Sequence, residues 1–266
     1  MSKIGFIGVG NMGGALAKAV CKAVGGQDVY VADFWPEKAM TLSKELGCTV
    51  ADNEMIAKCC DYIFLGVKPQ VLPVVLEELK GALAENPSAV LVSMAAGIRT
   101  ESIEQVLGRV PIVRIMPNTP VAVERGVILY AVNHAITSAE EEGFTKLLVC
   151  AGMLDKLPEA LIDAGSAVSG CGPAFVYMFI EALADGGVAA GLPRDKAQQY
   201  AAHTVLGAAE LLLSSGKHPG ELKDAVCSPA GSTIEGVLTL ERAGFRDATA
   251  AAVKASFERT KQLGKS

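Results

Sequence analysis

The stretch KIGFIGVGNMGG, at the start of the chain, limits its possible folds more than any other. The apolar run from Ile4 to Ile7 reads as a strand and passes directly into Gly8, Gly10 and Gly13, a GxGxxG that opens a helical pattern. Each glycine has a separate physical purpose. Gly8 permits a tight turn, Gly10 lets backbone approach a pyrophosphate, and Gly13 lets helix and strand pack closely. A second strand-like run, DVYVAD, ends in Asp33, about 20 residues beyond the motif, where a carboxylate can accept from a ribose diol. Motif and acid together predict a βαβ unit that binds a dinucleotide.

The rest of the first half extends that frame. DYIFLGV, AVLVSMAA and PIVRIM are continuous apolar runs, as expected of parallel strands covered on both faces, and amphipathic stretches separate them. VILYAV and MLDKL add two further candidate strands, with a helix at SAEEEGFTKLLVCAG between them. After Pro158 the strand signals stop. Helical patterns follow at PAFVYMFIEALADGGVAAG, PRDKAQQYAAHTVLGAAELLLSSG, PGELKDAV, TIEGVLTLERAG and RDATAAAVKASFERTKQLG. The expectation is an α/β Rossmann-type doubly wound sheet over residues 1–158, followed by an all-α domain over residues 159–266.

Composition narrows the partners. A net charge of −5 leaves no basic field that would gather nucleic acid. The seven cysteines are scattered, odd in number and without a CxxC pair, so the sequence suggests no disulfide framework and no metal site, and points to a reducing compartment. The three histidines lie far apart without metal-ligand spacing. The N-terminal run leaves no room for a signal peptide, and no uninterrupted apolar run has membrane-spanning length, so a cytoplasmic protein with no membrane partner is expected.

Several loops look built for ligands. GVKPQ and SMAAGI follow strands, where ligands of open α/β sheets sit. Phe34 and Trp35 follow Asp33 and could flank an adenine or simply pack. RIMPNTP reads as a loop fixed by two prolines, or as part of the same crevice. In the helical half, VSGCGPAF and CSPAGST each place small residues before a helix N-terminus, where backbone N–H groups meet anions. There is no GxSxG elbow for a serine nucleophile.

The blocks GFIGVGNMGGAL, FLGVKPQ, SMAAGI, RIMPNTP, DAGSAVSGCGPAF, EALADGGVAAGLPR and HPGELKDAVCSPAGSTIEGVLTLE resemble, in order, those of the pyrroline-5-carboxylate reductases. That resemblance implies reduction of 1-pyrroline-5-carboxylate to L-proline by hydride transfer from NADH or NADPH. It implies that the carboxylate of this small-molecule substrate sits on the last loop, at Ser228, Gly231, Ser232 and Thr233, with the Thr233 hydroxyl orienting the ring nitrogen and Glu159 nearby. It assigns the pyrophosphate to Gly8, Gly10, Asn11, Met12 and Gly13, the adenosine to Asp33 and Asn53, and the nicotinamide side to Val67, Lys68, Pro69, Ala95, Ala96 and Gly97. It further implies a homodimer, or a larger assembly of dimers, joined through the helical domain.

Two departures stand out. Ala230 replaces the first glycine of the usual SPGG, and Asp33 stands where NADPH-preferring members often carry Ser or Arg. Two other readings compete. A β-hydroxyacid dehydrogenase shares the opening motif, but needs a lysine that PAFVYMFIEALADGG lacks. A non-catalytic nicotinamide sensor would have no use for CSPAGST.

Overall fold

The computed structural model of the chain describes residues 2–263. By packing, it forms two compact units, one running to Cys171 and including the residues from Ser256 onward, the other Gly172–Ala255.

In the first unit strands and helices alternate: β1 (Ile4–Ile7), α1 (Asn11–Val24), β2 (Val29–Ala32), α2 (Pro36–Leu46), β3 (Thr49–Val50), α3 (Asn53–Cys59), β4 (Tyr62–Leu65), α4 (Leu72–Ala84), β5 (Val90–Ser93), α5 (Thr100–Leu107), β6 (Ile112–Met116), β7 (Gly126–Val132), α6 (Ser138–Leu147), β8 (Gly152–Lys156) and α7 (Glu159–Ser169). Among the described residues they build one sheet in the order β3-β2-β1-β4-β5-β6-β7-β8. Its pairs are parallel except β6–β7, which is antiparallel.

Strands β1, β4, β5 and β6 are buried along their whole length, which is why their sequence runs do not alternate in polarity. Successive residues instead face opposite layers. Ile4 and Phe6 pack with α1, α2 and α6, with Phe6 stacked on Phe64 of β4 at 4.5 Å. Ile7, Ile63 and Leu65 pack with α3, α4 and α5. The strand order reverses between β1 and β4, and this switch point opens a crevice at their carboxyl ends.

Two elements escaped the sequence reading. Strand β3 is two exposed residues at the sheet edge, too short to show a pattern. Helix α7 packs Ile162 against Met116, Leu129 and Ala131, so the sheet's compact unit extends to Cys171 rather than stopping at Pro158.

VSGCGPAF is also tighter than its glycines suggested. Gly170 keeps helical dihedrals (φ −75°, ψ −44°), and only Gly170 and Cys171 separate α7 from α8 (Gly172–Ala189). This is a helix-to-helix turn, not an open cradle. Taken together Glu159–Ala189 has the length and apolarity to cross a membrane, contrary to the reading of the sequence, but it is split by that turn and its first half is packed on the sheet.

The second unit holds α8, α9 (Arg194–Ser215), α10 (Pro219–Ala225), α11 (Ser232–Arg242) and the first turns of α12 (Phe245–Leu263). Its buried cluster is Ala184, Ala197 and Ala201, small side chains that let α8 and α9 approach closely. Larger apolar side chains point outward: Tyr177, Met178, Leu206, Leu211 and Leu213 are all more than half exposed. Large apolar side chains left in solvent in this number are what an interaction surface presents.

Candidate active site

The crevice is built on three glycines that touch. Gly8 has φ +92°, a left-handed conformation disfavoured for other residues. A Cβ on Gly13 would lie 2.1 Å from the Gly8 carbonyl oxygen, and one on Gly66 would lie 2.2 Å from the same atom. The fold therefore demands glycine at all three. Gly66, which follows β4 as Gly8 follows β1, was absent from the sequence-derived site; a glycine directly after a buried strand was the available signal.

Gly10 differs, because a Cβ there would meet nothing within 4 Å in the protein. Packing does not require glycine at that point, whereas close approach of a pyrophosphate does. Gly10 is also the N-cap of α1, whose first turn carries no acidic residue and whose cap makes no side-chain hydrogen bond. The N–H groups of Asn11, Met12 and Gly13 thus begin the helix with an uncompensated positive end, which suits an anion.

Asp33 links this turn to β2. Its Oδ2 accepts from Val9 N at 2.8 Å and its Oδ1 from Trp35 N at 3.0 Å. Asp33 and Asn53 line one cavity of about 610 Å³, and Gly10 and Asn11 line another of about 700 Å³. The adenosine and pyrophosphate residues expected from sequence thus gather at the ends of β1 and β2. Val67, Lys68 and Pro69 follow β4, while Ala95, Ala96 and Gly97 follow β5, with Gly97 at φ +76°.

Beneath the β5 turn lies a charged network. Arg114 on β6 is buried to 1% exposure and donates from Nη2 to Asp163 Oδ1 at 2.5 Å, with Glu159 Oε1 3.7 Å from its Nη1. The two Glu159 oxygens accept from Thr100 N (2.8 Å) and Thr100 Oγ1 (2.9 Å). Glu159, expected near the substrate, is therefore engaged at the head of α5, three residues beyond Gly97. Sequence reasoning missed Arg114, Thr100 and Asp163; an arginine inside the apolar run PIVRIM was the clue.

CSPAGST forms a tight turn between α10 and α11. Gly231 N donates to Ser228 O at 3.0 Å, closing a β-turn with Pro229 second and Ala230 third. Ala230 has φ +56°, a conformation that glycine adopts freely and alanine does not. A Cβ on Gly231 would lie 2.3 Å from Ser228 Oγ, a hydroxyl that would have to rotate away. The Gly231 N–H is thus engaged within the turn. Ser232 and Thr233 begin α11, which has Gly231 as N-cap and no side-chain cap, so their N–H groups face out from a bare helix N-terminus.

Comparison with known proteins agrees with both halves. A family model described as pyrroline-5-carboxylate reductase dimerisation matches residues 159–263, and one described as NADP oxidoreductase coenzyme F420-dependent matches residues 3–97. The pyrroline-5-carboxylate reductase of Escherichia coli is 38% identical, with 99% of both chains covered, and that of Methanosarcina acetivorans is 40% identical, covering 99% of this chain and 98% of the relative. The chain belongs to the pyrroline-5-carboxylate reductase family. Among solved members, the Plasmodium falciparum enzyme with NADP bound superposes with a TM-score of 0.90 at 32% identity, covering 99% of this chain and 98% of the other. The Streptococcus pyogenes reductase gives 0.89 at 30%, covering 98% of each. The family's two-part architecture is the one observed here, a Rossmann sheet followed by a helical dimerisation segment. The apolar exposure of α8 and α9 falls within that segment.

Proposed function

We propose that this protein reduces 1-pyrroline-5-carboxylate to L-proline with NADH or NADPH, the last step of proline synthesis. We assign cofactor binding to residues 1–158 and substrate binding and dimerisation to residues 159–266. The observation that carries the reading is the pairing of two features on one chain: the Gly8–Gly10–Gly13 cradle and the bare N-terminus of α11 after CSPAGST.

A reduced nicotinamide, when bound, supplies the hydride for C5 of the protonated imine. The chain supplies position and surroundings. Gly8, Gly10, Asn11, Met12 and Gly13 would hold the pyrophosphate, Asp33 and Asn53 the adenosine, and Val67, Lys68, Pro69, Ala95, Ala96 and Gly97 the nicotinamide side. The Ser232 and Thr233 N–H groups and the α11 dipole would take the substrate carboxylate, with Ser228 beside them. The Thr233 hydroxyl oxygen would accept from the ring N–H and fix which face of the imine is presented. No strong acid or base is needed, because the imine arrives protonated and already electrophilic.

A second copy would cover the apolar faces of α8 and α9, giving a homodimer or an assembly of dimers. The seven cysteines are free, which supports a cytoplasmic setting. Thr233→Val tests the assigned role. We expect kcat to fall at least about tenfold, a barrier change of about 1.4 kcal/mol, with the cofactor KM unmoved. An unchanged kcat/KM for the imine would remove Thr233 from the site.

A further inference from the structure

NADH and NADPH differ by one phosphate on the 2′-hydroxyl of the adenosine ribose, and the residues around the end of β2 discriminate against it. We infer that the adenosine end of the crevice is a carboxylate-walled site selective for the unphosphorylated ribose, so that the protein prefers NADH. The inference rests on the dinucleotide reading given above and deepens it.

The cavity of about 610 Å³ at this end is lined by Asp33, Asp52, Glu54 and Glu78, with Asn53 the uncharged polar residue among them and neither Lys nor Arg in its wall. A 2′-phosphate carries about −1.5 to −2 charges at neutral pH and needs cationic donors. The stretch after Asp33, where such a donor would stand, reads Phe34, Trp35, Pro36, Glu37.

Asp33 has no freedom to turn away. Its two oxygens accept from Val9 N and Trp35 N, and these bonds keep a carboxylate at the ribose edge, where its free lone pairs accept from hydroxyls but repel a phosphate. Three lysines nearby are paired with carboxylates, Lys58 with Glu54 of this very wall, while Lys38, outside the wall, has no ion pair among the described residues. Lys58 sits between Glu54 (3.0 Å) and Glu85 (3.1 Å), Lys18 pairs with Glu45 (2.6 Å), and Lys80 lies 3.8 Å from Glu77. Lys38 lines the neighbouring cavity by Gly10, with Glu37 and Glu45 in the same wall. Glu78 has no ion pair among the described residues and is solvent-exposed, so it adds an unpaired but screened negative charge to the wall.

Binding can be read without turnover, because Trp35 is the single tryptophan, is half exposed and adjoins Asp33. Titrating the full-length protein with NAD⁺ and NADP⁺ while following Trp35 fluorescence should give a Kd at least tenfold lower for NAD⁺. The kcat/KM ratio for NADH over NADPH should run the same way. Asp33→Ser should narrow the gap, although it also frees Val9 N. Glu78→Lys leaves the loop bonds intact and should raise NADP⁺ affinity several-fold, moving the ratio of the two dissociation constants toward NADP⁺. A Kd for NADP⁺ equal to or below that for NAD⁺ in the unmodified protein would overturn the inference, as would a ratio that neither substitution moves. Binding of neither dinucleotide would instead overturn the reading of the crevice itself.

Discussion

The Ala230 methyl group shows how a single residue carries both a family signature and a departure from it. The turn from Ser228 to Gly231 needs a positive φ in its third place, and family members commonly meet that need with glycine; here alanine adopts φ +56°. Holding a non-glycine residue there costs about 1–2 kcal/mol. The conformation nevertheless persists, because Pro229 before it and the Gly231–Ser228 bond around it fix the turn. Ala230→Gly should therefore stabilise the protein by about 1 kcal/mol, after allowing for the greater freedom of glycine in the unfolded chain, and raise Tm by roughly 2–4 °C. A thermal melt showing no rise or a fall would mean that the turn relaxes around the methyl at no cost. The replacement itself was legible in the sequence; that the backbone would keep its left-handed form was not, since that depends on how firmly the neighbours hold the turn.

At the level of elements, the β1–α1 junction separates what packing needs from what a ligand needs. Gly13→Ala would push a methyl to 2.1 Å from the Gly8 carbonyl and should cost about 1–3 kcal/mol, seen as a lower Tm. Gly10→Ala places its methyl in open space, so Tm should hold while dinucleotide affinity falls at least tenfold by calorimetry. The opposite pattern would mean that the cradle is merely structural. The buried parallel strands were readable because unbroken Val, Ile, Leu and Phe runs leave no solvent face, and β7, β8 and α6 were each read from patterns of their own. Strand β3 was unreadable because two residues have no period. Helix α7 was hidden by Gly165 and Gly170, which look like loop formers. In the structure Gly165 lies against Leu129, where a Cβ would come within 2.4 Å of that side chain, and Gly170 caps the helix while keeping helical dihedrals. Glu159 was expected near the substrate from the resemblance alone, and its hold on Thr100 beside Arg114 is a tertiary arrangement that no local pattern encodes.

For the whole molecule, the contrast between the two units carries the functional argument. The sheet unit buries its central strands β1, β4, β5 and β6 completely, whereas the helical unit leaves Met178, Leu206 and Leu213 largely in solvent, which is what a surface made for a second copy requires. Family membership accounts for that surface, and the proposed function assigns the chemistry to the cradle and the α11 turn. The central claim is catalytic and is most directly tested by mixing purified protein with 1-pyrroline-5-carboxylate and either NADH or NADPH, following cofactor oxidation and L-proline together. We expect one proline formed per reduced cofactor consumed, faster with NADH than with NADPH. No turnover with either cofactor at saturating imine would contradict the account.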